Sequence, residues 1–201
     1  MFTGIIEAVG KIKRIKKPDN LADNGLSLEI AAGNLDLSDV VMGDSIAVNG
    51  VCLTVTSMHA DFFSVHVSRE TLGCTYGLDL PGIQVNLEKA MRLSDRLGGH
   101  LVSGHVDGIG AVVNLQPTGE STTLTIQADE ALFKYIAKKG SITVNGVSLT
   151  VNQLFDDKFS VNLIPHTLSA TNLTESIPGA KVNLETDMLA RYVARLITIS
   201  K

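Results

Sequence analysis

The sequence predicts an all-β chain: two tandem six-stranded antiparallel barrels with Greek-key-like connections, followed by a short C-terminal α-helix. Short β-branched segments alternate with Gly, Asn and Asp along most of the chain, a pattern typical of sandwiches and barrels. A long internal repeat indicates that this unit occurs twice, and an amphipathic stretch follows the second copy.

The repeat defines the domains. Residues 45–55 return 96 positions later as residues 141–151, and residues 2–4 correspond to residues 102–104. Each copy has about a hundred residues, a normal size for a domain. We therefore predict an N barrel in residues 1–97, a C barrel in residues 98–187 and an oligomerisation helix in residues 188–201.

Six strands are predicted in each copy, with turn residues between them. Asn49-Gly50 and its repeat Asn145-Gly146 are strong hairpin signals, because both residue types tolerate positive φ. The strand candidates are 5–15, Leu26–Ala31, Ser45–Val48, Val51–Met58, Phe62–Val67 and 84–88 in the first copy, and 104–115, 122–127, Ser141–Val144, Val147–Leu154, Lys158–Leu163 and 181–185 in the second.

Two helices are predicted. The first covers residues 129–137, because Asp129 is a good N-cap and Gly140 a natural stop. The second follows Asp187, and its apolar residues share one face: Leu189, Val193, Leu196 and Ile197. A helix of about 14 residues is unstable alone in water. The apolar face must therefore pack on its own barrel or against other subunits, and we favour self-association.

Composition excludes several classes of function. The chain is 44% hydrophobic and 19% charged with a net charge of −4, and it lacks the clustered basic surface that nucleic acid requires. No apolar stretch approaches the ~20 residues that span a bilayer, and the N-terminus does not resemble a signal peptide. Two cysteines give neither a disulfide framework nor zinc spacing. We expect a cytoplasmic protein without membrane or nucleic-acid partners.

The repeated Cys/Ser-Leu-Thr segment is the first candidate for a binding surface. Alternate residues of a strand share a face, so Cys52 and Thr54 point together, as do Ser148 and Thr150. We call each of these pairs, Cys52 with Thr54 and Ser148 with Thr150, a ledge. A polar ledge of this kind suits a sugar-like or polyol ligand. Exposed strands commonly carry Ser and Thr, but recurrence in both copies favours a functional interpretation.

Three further features were weighed. Residues 66–71 and their repeat 162–167 each follow a strand and enter a turn, where backbone groups are available to a heterocycle. Residues 99–106 contain His100 and His105 but no other ligand at a zinc-like spacing, so we predict no metal site. Cys52 is either a nucleophile or, like many cysteines in apolar strands, a buried inert residue. The chain has no Ser-His-Asp motif, Walker loop or dinucleotide fingerprint.

Taken together, residues 1–6, the doubled Asn-Gly-Val-(Cys/Ser)-Leu-Thr-Val, residues 98–106 and residues 162–168 resemble the riboflavin synthase family, alpha-chain type. The resemblance covers essentially the whole chain. It implies an enzyme that moves a four-carbon unit between two 6,7-dimethyl-8-ribityllumazine molecules without cofactor or metal. It also implies a homotrimer in which the N barrel of one subunit faces the C barrel of the next, with lumazine synthase as a candidate partner.

The family's site residues can be carried over by position. The N-barrel pocket would use Gly4, Ile5, Ile6, Cys52, Leu53, Thr54, His66, Val67, Ser68, Arg69, Glu70 and Thr71. The C-barrel pocket would use Gly104, His105, Val106, Lys139, Ser148, Leu149, Thr150, Asn162, Leu163, Ile164, Pro165, His166 and Thr167. The resemblance makes Ser148 and Thr150 ligands of the ribityl chain or ring edge. Its candidates for proton transfer and nucleophile activation are Cys52, His105, Ser45, Thr3 and Phe2.

Two other interpretations stay open at this stage. The first is a non-catalytic lumazine or flavin carrier built on the same duplicated fold, which would fill one site per chain and release no product. The second is a pair of barrels that binds no ligand, because each polar motif also has a harmless local explanation.

Overall fold

The computed structural model describes residues 1–17 and 25–199 and confirms the predicted fold. The N barrel closes in the order β1-β2-β5-β4-β3-β6, and all neighbouring strands are antiparallel. Its strands are β1 (Ala8–Lys16), β2 (Leu26–Ala31), β3 (Ser45–Val48), β4 (Val51–Met58), β5 (Phe62–Val67) and β6 (Gln84–Lys89), with helix α1 (Arg69–Cys74) between β5 and β6.

The C barrel repeats this topology, closing as β7-β8-β11-β10-β9-β12. Its strands are β7 (Gly108–Thr118), β8 (Ser121–Gln127), β9 (Ser141–Val144), β10 (Val147–Leu154), β11 (Lys158–Leu163) and β12 (Lys181–Thr186). Its helices are α2 (Glu130–Phe133), α3 (Pro165–Ala170), a 3₁₀ helix (Asn172–Glu175) and α4 (Met188–Ile199).

In both barrels, alternate residues of a strand point inward and form the core. In β4, Val51, Leu53 and Val55 are buried, whereas Cys52 is half-buried and Thr54 exposed on the outer face. Strand β10 repeats this pattern. Phe63 and Phe159 occupy equivalent positions and are fully buried in their respective cores. The predicted polar ledges therefore lie outside the barrels, because the apolar residues between them point inward.

Three local predictions need correction. Strands β1 and β7 begin at Ala8 and Gly108, later than predicted, because the preceding residues leave their barrels. The predicted helix 129–137 is only Glu130–Phe133, since the chain continues with three-residue turns: Ile136 N–H donates to the Phe133 carbonyl. Segments 66–71 and 162–167 enter helices α1 and α3 rather than simple turns.

The barrels meet across a pseudo-twofold contact between their hairpin turns. A Cβ on Gly50 would lie 2.8 Å from the Gly146 nitrogen, so only glycine allows this approach. Asn86 Nδ2 donates to the Asn145 carbonyl at 2.9 Å. Its repeat, Asn183 Nδ2, donates to the Asn49 carbonyl at 3.1 Å. These paired amides fix the orientation of one barrel relative to the other.

An ion pair between Arg191 and Asp107 joins helix α4 to the C barrel. Arg191 Nη1 donates to Asp107 Oδ1 at 2.9 Å, and the Leu189 N–H donates to Asp187 Oδ1. The predicted apolar stripe is exposed, at 61% for Leu189, 55% for Val193, 65% for Leu196 and 57% for Ile197. Residues 200–201 of the predicted helix fall outside the described part of the chain. Within that part, no helix is long and apolar enough to cross a membrane.

Candidate active site

Each copy begins with a segment that crosses to the other barrel. We call residues 1–6 and 101–106 the crossing segments. They pair with each other where Phe2 and Val102 exchange backbone hydrogen bonds of 2.8 and 3.1 Å. Beyond this pair, the Ser148 N–H donates to the Gly4 carbonyl at 2.8 Å, and the Cys52 N–H donates to the Gly104 carbonyl at 2.8 Å.

This crossing corrects part of the sequence-based assignment. Gly4, Ile5 and Ile6 were grouped with the N-barrel pocket, but Gly4 contacts Ser148, and Ile6 packs against the C-barrel core. Gly104, His105 and Val106 were grouped with the C-barrel pocket, but Gly104 contacts Cys52, and Val106 packs against the N-barrel core. The assignment failed because each segment was placed on the barrel that follows it in the chain.

Glycine is required where each crossing segment touches a ledge. Gly4 has φ +77°, and a Cβ there would lie 2.6 Å from Ser148 Cβ. Gly104 has φ +78°, and a Cβ there would lie 2.7 Å from Cys52 Cβ. Both the left-handed backbone and the close approach exclude larger residues. The crossing segments are therefore packed directly onto the two ledge residues.

A buried glutamate holds each crossing segment. Glu88 accepts hydrogen bonds from the Thr3 N–H, the Thr3 hydroxyl and the Gly4 N–H at 2.6, 2.7 and 3.0 Å. Glu185 accepts the same three bonds from Ser103 and Gly104. Burial raises the pKa of both carboxyls above its usual value, and the donated hydrogen bonds offset only part of this rise.

This role of the two glutamates was not among the sequence-based predictions. The sequence contains a signal for this role, because the doubled Val-Asn-Leu-Glu places an Asn and a Glu beside apolar residues of a strand in both copies. The four polar residues of the two motifs, Asn86 and Glu88 in β6 and Asn183 and Glu185 in β12, are all buried. A buried carboxyl retained in both copies needs a fixed set of donors.

The N-barrel half-site lies on the outer face of β3 and β4. Cross-strand pairing places Ser45 opposite Thr54 and Ala47 opposite Cys52. The neighbouring strand β5 carries exposed His66 just before its last residue and leads into α1, whose N-cap Ser68 accepts a hydrogen bond from the Thr71 N–H through its hydroxyl. The remaining predicted residues of this stretch are Val67, which is buried, and Arg69 and Glu70, which are exposed.

The C-barrel half-site has the same plan. Ser148 is half-buried and Thr150 exposed on β10, and Leu149 between them is buried. Asn162 and Leu163 end β11, Ile164 precedes α3, and Pro165, His166 and Thr167 form its first turn. In each half-site the alternate polar residues lie on the outer face of the barrel, Cys52 and Thr54 in one and Ser148 and Thr150 in the other, whereas the predicted residues Leu53, Val67, Leu149 and Leu163 are buried.

Lys139 occupies a strained backbone position beside this half-site. Its φ is +66°, and the equivalent residue of the first copy is Gly43, with φ +97°. Both residues donate the same backbone hydrogen bond, from Lys139 to the Val151 carbonyl and from Gly43 to the Val55 carbonyl. A side chain retained at a position that favours glycine is a feature of functional sites.

The five predicted proton-transfer residues differ in accessibility. Phe2 is fully buried against Ala47 and Val102, and the Thr3 hydroxyl is bound by Glu88. These two side chains are therefore buried and not accessible to a ligand. Cys52 and Ser45 are half-buried and His105 is exposed, so all three are open to a ligand.

The described residues contain no group of three His, Cys, Asp or Glu side chains that could hold a metal ion. Cys52 and Cys74 are both free thiols.

Comparison with known proteins gives a consistent result over the whole chain. Residues 3–90 and 103–187 each match the lumazine binding domain family. The chain is 44% identical over 202 residues to the riboflavin synthase of Photobacterium leiognathi, covering 100% of this chain and 91% of the relative. It is 45% identical over 198 residues to that of Bacillus subtilis (strain 168), covering 98% and 90%. It is 41% identical over 207 residues to that of Brucella abortus (strain 2308), covering 100% of both.

Solved structures of LumP share the fold. The complex with 6,7-dimethyl-8-(1'-D-ribityl) lumazine has a TM-score of 0.80 at 28% identity, covering 92% of this chain and 99% of LumP. The complex with riboflavin has a TM-score of 0.81 at 29% identity, with the same coverage.

Proposed function

Because this chain belongs to the riboflavin synthase family, we propose that its two half-sites act together on two identical substrates. The reaction converts two 6,7-dimethyl-8-ribityllumazine molecules into riboflavin and 5-amino-6-ribitylamino-pyrimidinedione by four-carbon transfer. The two products contain all atoms of the two substrates, so no oxidant or reductant is consumed.

The observation that carries this proposal is the duplicated half-site. Each barrel presents a ledge, Cys52-Leu53-Thr54 or Ser148-Leu149-Thr150, covered by a crossing segment and bordered by a strand-to-helix connection. A reaction between two copies of one molecule is served by two similar pockets. The LumP complex supports the ligand assignment, because the same fold there holds a ribityllumazine.

The chemistry fits the groups on the ledges. The C7 methyl group of a lumazine is acidic because its carbanion is delocalised into the ring, and C7 of the second lumazine is open to a nucleophile. Holding two rings together in reactive orientation is worth about 7–11 kcal/mol. General acid–base assistance from Cys52, His105, Ser148 or the threonine hydroxyls would add about 10²–10⁴-fold. Most of the catalysis is thus assigned to positioning.

We further propose that the complete site forms between subunits of a homotrimer, with the N barrel of one chain facing the C barrel of the next. Both ledges lie on outer barrel faces, and the apolar face of α4 at Leu189, Val193 and Ile197 is exposed in one chain. Repeating one head-to-tail contact around a threefold axis would close a ring and use both ledges of every chain. The free thiols of Cys52 and Cys74 are consistent with the reducing cytoplasm.

The test is incubation of the purified chain with 6,7-dimethyl-8-ribityllumazine alone, followed by absorbance and fluorescence. The proposal requires riboflavin to accumulate with one pyrimidinedione released per flavin. Tight binding of one lumazine per chain without product would instead indicate a carrier.

A further inference from the structure

His100 lies against the hydroxyl of the C-barrel ledge. Its Nδ1 is 2.8 Å from Ser148 Oγ. Its backbone N–H donates to the Thr3 carbonyl at 3.1 Å, so the main chain at residue 100 is bound to the first crossing segment. The preceding Gly99 allows this fit, because a Cβ there would lie 2.2 Å from the Thr3 oxygen and 2.8 Å from Ser148 Oγ. The main chain at residues 99–100 therefore lies close enough to Ser148 for the imidazole to reach its hydroxyl.

The surroundings of His100 favour the neutral form of its imidazole. Burial lowers the pKa of His100 below its ordinary value, and the negative charge of Asp187 opposes this effect only in part. A neutral imidazole carries one donor and one acceptor nitrogen. It can therefore bind a serine hydroxyl without adding a charge to the half-site.

The first copy has no such pair. Cys52 is the counterpart of Ser148, and within residues 1–17 and 25–199 its thiol has no hydrogen-bond partner. The two ledges thus share a backbone plan but differ chemically. This difference matters because the reaction requires two identical molecules to take opposite roles, one as four-carbon donor and one as acceptor.

We propose that His100 is a positioning residue that fixes the Ser148 hydroxyl toward the lumazine of the C barrel and makes the two half-sites inequivalent. The proposal rests on the proposed function. The imidazole occupies one hydrogen-bonding position of Ser148 Oγ. The hydroxyl then offers its other hydrogen bond in a fixed direction. The benefit is expected in the transition state, where a misdirected hydroxyl lowers kcat more than it raises KM.

The test is a double-mutant cycle between His100 and Ser148. His100→Leu removes the hydrogen bond, His100→Asn keeps a polar group near the position of Nδ1, and Ser148→Ala removes the partner. We expect His100→Leu to lower kcat about fivefold to tenfold, the size of one hydrogen bond, with little change in KM. His100→Asn should recover most of this loss. In the Ser148→Ala background, His100→Leu should change kcat less than about twofold.

His59→Leu provides a histidine control, because His59 stacks on Phe62 away from the ledge, and its kcat should equal that of the unmodified chain. Thermal unfolding establishes that each variant is folded at the assay temperature. Equal losses from His100→Leu with and without Ser148 would show that His100 only packs, as would an Asn variant as slow as the Leu variant. Absence of riboflavin from the unmodified chain would refute the proposed function instead.

Discussion

Replacement of Gly104 by alanine should disturb the N-barrel half-site although residue 104 belongs to the second copy. At φ +78° an alanine costs about 1–2 kcal/mol. Its Cβ would lie 2.7 Å from Cys52 Cβ and 2.9 Å from Phe2 Cε2, and relief of such overlap costs about 1–3 kcal/mol. The shift also weakens the hydrogen bond from the Cys52 N–H to the Gly104 carbonyl, about 1 kcal/mol. We expect a total loss of about 3–6 kcal/mol in the free energy of unfolding.

The assay is chemical labelling of the Cys52 thiol. A Cys74→Ala background removes the other, exposed cysteine. In this background Gly104→Ala should speed the reaction of Cys52 with a thiol reagent too large to reach this half-buried side chain in the folded state. The expected increase is about tenfold or more, because each 1.4 kcal/mol lost locally raises the open population tenfold. Urea unfolding of the same samples gives the global stability.

Gly4→Ala is the matched control. It introduces the same strain, at φ +77° and 2.6 Å from Ser148 Cβ, but it touches the C-barrel ledge. It should destabilise the chain to a similar extent and leave Cys52 labelling under native conditions unchanged. If Gly4→Ala accelerated labelling as much as Gly104→Ala, or if Gly104→Ala had no effect on labelling, the assignment of crossing segments to opposite barrels would be wrong.

Three further predictions follow from the site. Burial raises the folded-state pKa of Glu88. The stabilisation that the Glu88 carboxyl contributes is therefore complete below its unfolded pKa of about 4.3 and is lost as pH rises through its folded-state pKa. The urea midpoint of Glu88→Gln should therefore decline less with rising pH than that of the unmodified chain. Asn86→Ala leaves the buried Asn172 N–H without its acceptor and should cost about 2–4 kcal/mol, measured by thermal unfolding; an unchanged midpoint would show that the inter-barrel amides contribute little. Cys52→Ser and His105→Gln should each lower kcat by no more than about 10²–10⁴-fold while substrate titration still shows binding, and complete loss of binding would contradict the assignment of catalysis to positioning.

The barrel cores could be predicted from sequence because alternation and turn residues act locally. Leu53 and Leu149 are buried as the pattern required, and Asn49-Gly50 forms the predicted hairpin turn. The crossing of Gly4 and Gly104 was not predictable in this way. Residues before β1 and β7 have the composition of strands, and their partners lie on the other barrel, far away in sequence.

The contacts of the buried carboxyls also could not be predicted from local sequence pattern. Glu88 belongs to the doubled Val-Asn-Leu-Glu, but the donors of Thr3 and Gly4 that satisfy its carboxylate are more than eighty positions away. The sequence predicted no metal site at His100 and gave it no other role, whereas the fold places Ser148 Oγ beside its ring. Local pattern identified the polar residues, and only tertiary pairing showed what each one contacts.

The central claim is that an N-barrel half-site of one chain and a C-barrel half-site of another act as one active site. It is tested most directly by co-expressing two inactive variants, Thr54→Arg and Thr150→Arg, each of which fills one ledge at an exposed strand position. If sites form between chains, random mixing should restore about a quarter of the activity of the unmodified protein, because one site in four then combines two intact halves. Mixed oligomers with no recovered activity would show that both half-sites must come from the same chain.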